Sequence, residues 1–192
     1  LGLGSFDVQP GGLGMPAGVA HDYLPHLAYL LVHFAGTAPH PPAVVGSIEN
    51  LSGRPEIGYD HVDALARIGE VRCRLRISPD VMPGSLRVTL RGTEGMVETD
   101  LYRPFVRREG PPWIGKWSPF GLAAEGAELI ASSLRLIGNR LVQHGTYHGM
   151  PRMLDAVYEA LLTGRDAPVK PAEMIASAQL IDAVVALTGD RP

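Results

Sequence analysis

Residues 62–78 read Val-Asp-Ala-Leu-Ala-Arg-Ile-Gly-Glu-Val-Arg-Cys-Arg-Leu-Arg-Ile-Ser. Val62, Ala64, Ala66 and Ile68 fall on every second position, and Val71, Cys73, Leu75 and Ile77 alternate with Arg72, Arg74, Arg76 and Ser78. A period of two is that of a strand with one face in a core and the other in water. Gly69-Glu70 between the runs suits a two-residue turn of type II′, so the segment predicts a hairpin with Ile68 facing Val71 and Asp63 facing Arg76. A second hairpin is predicted between 85–91 and 96–102 across Gly92-Thr93-Glu94-Gly95, with Arg87 opposite Asp100 and Thr89 opposite Glu98.

Helical periods flank this β region. Upstream, Leu24, Leu27, Leu30, Leu31 and Phe34 recur at three- and four-residue steps up to the stop at Gly36, which predicts a helix from Val19 or His21 to Ala35. The three prolines in 38–42 exclude helix or central strand there. A short strand then covers 43–49, and 50–60 is a polar loop. Downstream, helices are expected over 122–143, over 149–162 with Gly164 as its stop, and from Pro171, whose apolar line is Met174, Ala178, Ile181 and Val185. Residues 5–9 read as one more short strand. Strand, helix, a run of antiparallel strands, then helices is an α+β order: an open, mainly antiparallel β-sheet with helices packed on one face, in a single domain spanning 1–192.

Composition excludes several classes. With 192 residues, 45% hydrophobic and 19% charged, the chain is long and apolar enough to bury a core. A net charge of −3 argues against a nucleic-acid binder, so no nucleic-acid partner is expected. The run from Leu27 to Phe34 is broken by His33 and is too short to span a bilayer, so no membrane association is expected. The lone Cys73 forms no internal disulfide and sits on a core face as an inert thiol; a cytoplasmic location is the expectation. Gly2-x-Gly4 is followed by Asp7 and by no βαβ unit, so it is not a dinucleotide turn. No Gly-x-Ser-x-Gly elbow occurs.

The densest ionisable cluster is His21, Asp22 and His26, with His33 further along the same helix. Asp22 and His26 are four apart and share a face, so they can act as an acid–base pair. Equally, Asp22 can serve the positive end of the helix dipole while His26 is a half-buried polar residue. A metal would need a third ligand such as His61, His144 or His148; nothing in the sequence fixes one, and no metal is expected. The arginines 67, 72, 74, 76 and 87 share their face with Asp63, Glu98 and Asp100, which reads as a solvated face or a protein interface. Trp113 and Trp117, with Lys116 between them, could line a pocket or stack on a sugar, or close over a core edge.

Gly18-Val-Ala-His-Asp22-Tyr-Leu-Pro-His26, followed by a helix ending Phe34-Ala-Gly36, resembles the Asp-x-Gly-x-His helix that opens the C-terminal domain of the Gfo/Idh/MocA oxidoreductases. Val88-Thr-Leu-Arg-Gly92-Thr-Glu-Gly95-Met-Val-Glu-Thr-Asp100 is similar to their Gly-Thr-x-Gly hairpin. Tyr147 through Met153-Leu154-Asp155 to Gly164-Arg165, then Pro171-Ala-Glu-Met, is similar to their closing helices. The chain departs from the pattern at Leu24, where the family has glycine, and at Tyr29, where it has an acid.

This resemblance implies a domain of the glyceraldehyde-3-phosphate dehydrogenase-like C-terminal type, from a longer enzyme whose Rossmann domain is not in this sequence and which is inactive without it. It implies His26 as proton acceptor, Asp22 as its partner, and NAD or NADP bound mainly by the missing half. The substrate is then a sugar, cyclitol or related polyol, with His21, Tyr147, His148, Trp113 and Lys116 as candidate contacts. It also implies a homo-oligomer paired through the open sheet face. A non-catalytic binding or oligomerisation module on the same fold is the alternative.

Overall fold

The computed structural model describes residues 18, 20–78, 84–102, 105–110, 118–142 and 149–189. Contacts group the chain into two compact units, 1–81 with 152–192, and 82–151. The architecture is α+β, as the order of elements predicts, but its strands form two open antiparallel sheets of three where the sequence reading expects one.

In the first unit, α1 (Ala20–Ala35) leads into β1 (Ala43–Glu49), β2 (His61–Ile68) and β3 (Val71–Ile77), in sheet order β1-β2-β3. The hairpin register follows the alternation, with Ile68 opposite Val71 and Asp63 opposite Arg76. Gly69 takes φ +57°, the sign that a type II′ turn needs at its first central position. Val62, Ala64, Ala66, Ile68, Cys73, Leu75 and Ile77 all point into the core. Burial pushes the Cys73 thiol up, which keeps it protonated and inert.

That inner face is covered by α1 and by α4 (Pro171–Val185), which also pack on each other. The buried line of α1 is Ala20, Leu24, Ala28 and Val32, a strict four-residue step. Leu27, Leu30 and Leu31 flank it, and Phe34 is exposed, so the sequence placed the face slightly too far round. Small residues at 20 and 28 let backbones approach closely. In α4 the buried line is Ser177, Leu180 and Val184, whereas Met174 and Ala178 are exposed. That helix is apolar nearly all round, so its pattern points weakly, and the approach of α1 and β1 decides which side is inside. Pro171–Thr188 is also the one described segment long and apolar enough to cross a bilayer, but Leu180 and Val184 are sealed in the core at 0% and 1% exposure.

Glu173 accepts the Lys170 N–H at 3.3 Å and closes the start of α4, where Pro171 is the first helical residue. Before it comes α3 (Gly149–Thr163), where Ala160 is buried but Tyr158, Leu161 and Leu162 are exposed.

The polar loop 50–60 is tied down by Asp60, whose carboxylate accepts the N–H groups of Leu51 (2.8 Å) and Ser52 (3.0 Å). Burial alone would raise this carboxyl, but hydrogen bonds from Ser52 and Leu51 outweigh it and hold the group below the ordinary aspartate value. Its contribution is complete above the unfolded value of about 3.9 and is lost as pH falls through the folded one. Asp60→Ala strands two donors and is expected to cost about 1–3 kcal/mol at neutral pH. Urea midpoints should show that cost shrinking in acid; a midpoint unchanged at neutral pH would remove Asp60 from this role.

The second unit contains β4 (Arg87–Arg91), β5 (Met96–Asp100), β6 (Arg107–Glu109) and α2 (Ser118–Val142), with sheet order β4-β5-β6. Arg87 lies opposite Asp100 and Thr89 opposite Glu98, as predicted. The ion pair, however, runs diagonally from Arg87 to Glu98 at 3.3 Å, because Asp100 turns inward to accept N–H groups of Leu86 and Tyr102. The short strand β6 was not foreseen. It is bound to α2 by Arg107–Glu125 at 2.7 Å, and the Arg108 N–H donates to Glu128.

Candidate functional site

The site begins where the chain enters α1. Gly18 has φ +54° and is packed against Gly58, itself at φ +70°, with Cα of one close to where a Cβ of the other would stand. The Ala20 N–H donates to the Tyr59 carbonyl at 3.0 Å and the His21 N–H to the Gly18 carbonyl at 3.1 Å. Two glycines therefore bring the loop 57–59 against the helix start and fix where its first turn lies. His21, Asp22 and His26 are carried on that turn and the next.

Asp22 and His26 are both exposed, one helical turn apart, and their side chains are open to a substrate. No hydrogen bond or ion pair joins them among the described residues. His21 differs: its Nδ1 is buried and has no hydrogen-bond partner among the described residues. A buried ring nitrogen without a partner is a costly arrangement, and this one is closed to solvent. Leu24, between Asp22 and His26, is fully buried and belongs to the core.

His33 separates from this group. It lies in the last turn of α1, where its Nδ1 is 3.5 Å from Glu173 of α4 and its ring stacks on Tyr29. It joins two helices and takes no part in the site. Trp113, Lys116, Tyr147 and His148 lie outside the described residues.

The open face of the first sheet carries Val45 at 65% and Leu65 at 54% exposure, directly opposite each other. Arg67 on β2 and Arg72, Arg74 and Arg76 on β3 share that face. Asp63 is held by Arg74, which donates to both its oxygens at 3.0 and 2.6 Å, rather than by Arg76 across the strands. The Arg74 hydrogen bonds hold the Asp63 carboxyl below its usual range. Among the described residues no three His, Cys, Asp or Glu side chains are gathered as a metal would need.

No family model matches the sequence, and no curated protein matches it. Among solved structures the chain is similar to a protein of Klebsiella pneumoniae provisionally described as an oxidoreductase, at 20% identity and a TM-score of 0.51. The match covers 88% of this chain and 46% of that one, so the chain spans about half the length of its solved relative. That likeness establishes a shared fold.

Proposed function

We propose that this chain is the substrate-binding and catalytic half of an NAD(P)-dependent oxidoreductase of the Gfo/Idh/MocA type, acting on a sugar, cyclitol or related polyol. The observation that carries the reading is the exposed Asp22–His26 pair, one helical turn apart on a helix start positioned by Gly18 and Gly58. The shared fold with a chain about twice as long, itself described as an oxidoreductase, is in keeping with it.

His26 takes the proton of a substrate hydroxyl, and Asp22, one turn earlier, favours the imidazolium that forms. His21, one residue before Asp22, contacts a second hydroxyl through the part of its ring that is not buried. A nicotinamide, when bound, supplies the hydride acceptor. The described residues furnish the acid–base set for that chemistry, and the nucleotide itself falls to the other half of the enzyme. A cytoplasmic location and pairing of subunits through the Val45–Leu65 face complete the proposal; a monomer by light scattering at high concentration would remove the pairing.

The test is an absorbance assay of NAD(P) reduction by the enzyme containing this chain, against a panel of sugars and cyclitols. Turnover of at least one polyol is expected. Absence of turnover with a folded, nucleotide-binding enzyme would favour the second reading, a non-catalytic binding or oligomerisation module. The missing contact between Asp22 and His26 and the burial of Leu24 are the observations on its side.

A further inference from the structure

At the end of the first sheet three side chains of complementary chemistry form a row across three neighbouring strands. Glu49, the last residue of β1, lies opposite His61, the first of β2. Val62 lies opposite Ile77, so the next residue out, Ser78, continues the register opposite His61 on its other side. The Ser78 Oγ and His61 Nδ1 are 2.8 Å apart, in a half-buried position. In the tautomer with the proton on Nε2, the Ser78 hydroxyl donates to Nδ1, and the Nε2–H is left for a carboxylate. Glu49 is exposed, and its side chain makes no hydrogen bond among the described residues, so it is available for that contact.

The charged groups that share this end of the face with the ring are Glu49, Asp63, Arg74 and Arg76. Asp63 shares the face with His61 two residues along β2, and the two attract when the ring is charged. Arg74 holds that carboxylate in place. Asp63 is already paired with Arg74 and faced by Arg76, so Glu49 is the carboxylate left to balance the imidazolium that proton transfer from Ser78 would create. The row lies four residues from the Val45–Leu65 pair, about 13 Å at 3.3 Å per residue, so it is distinct from the centre of that face.

The geometry points to Ser78 as a nucleophile activated by His61, with Glu49 orienting the ring: a second site, of acyl-transfer chemistry, unrelated to the Asp22–His26 pair. A nucleophile and a base without further help suit an activated ester, whose leaving group departs easily. The Ser78 Oγ attacks the carbonyl carbon while its proton passes to His61 Nδ1. The adduct then collapses, the bond to the leaving oxygen breaks, and that oxygen recovers the proton. Water, deprotonated by His61 in turn, cleaves the acyl-serine to carboxylic acid and free Ser78.

The full chain is incubated with p-nitrophenyl acetate, p-nitrophenol release is followed, and the acetylated peptide is identified by mass spectrometry. Acetyl is expected on Ser78, absent in Ser78→Ala and formed about 10²-fold more slowly or worse in His61→Gln, with a smaller loss in Glu49→Gln. Acetyl found on other residues only, or an unchanged rate in a folded His61→Gln protein, overturns the proposal. If His61→Gln does not fold, the pH profile of the unaltered chain decides. A rate that levels off once an imidazole is neutral upholds general-base help, and one that keeps rising in proportion to hydroxide overturns it.

Discussion

In an enzyme that joins this chain to the nucleotide-binding half its proposed function requires, His26→Ala is expected to lower turnover about 10²–10⁴-fold, the range of general acid–base help. The loss should fall on kcat more than on KM, because the proton moves in the transition state and the ground-state complex keeps its other contacts. The substitution is a clean probe for a structural reason. His26 is exposed and unpartnered among the described residues, and alanine is the better helix former, so the fold should be unaffected. Asp22→Asn should give a smaller loss, since it removes charge beside the ring but not the base. A steady-state comparison of kcat for the three proteins decides the matter. Equal turnover would take His26 out of the mechanism and leave the pair as helix-terminal polar residues.

Gly18→Ala is expected to cost about 2–5 kcal/mol, the sum of about 1–2 for a left-handed residue with a Cβ and about 1–3 for overpacking. The Cβ would fall on the backbone N of Tyr59 and within 2.9 Å of the Gly58 carbonyl carbon. These are backbone atoms held by the Ala20–Tyr59 hydrogen bond, and they cannot rotate away as a side chain could. Gly36→Ala serves as the control. Its φ is +82°, but a Cβ there meets nothing within 4 Å, so only the conformational cost applies. Urea unfolding of both variants separates the two contributions. Similar losses at 18 and 36 would show that the Gly18–Gly58 approach is loose, and that the start of α1 is not fixed by it.

The hairpins were legible because strand pairing is a local problem. Residues 61–78 contain both partners, the turn between them and the alternation that sets the register, and 87–100 do the same. Side-chain partners were less legible. Asp63 chose Arg74 over Arg76, and Arg87 chose Glu98 over Asp100, because long arginine side chains reach diagonal neighbours as easily as direct ones. The His33–Glu173 contact joins residues at opposite ends of the chain, and no spacing rule could have found it.

The candidate site shows the same division. The four-residue spacing of Asp22 and His26 places them on one face of a helix, and that holds in any fold that keeps the helix. That Leu24 is core depends on α4 and the inner sheet face, and that His61 meets Ser78 depends on the pairing of β2 with β3. By itself the sequence determined what repeats within a few residues: the alternation of β2 and β3, the turn at Gly69, and the helical period of α1. The tertiary structure alone decided which side of α1 and α4 is buried and which polar side chains meet. Burial is set by what packs against an element, and that information is spread over contacts distant along the chain.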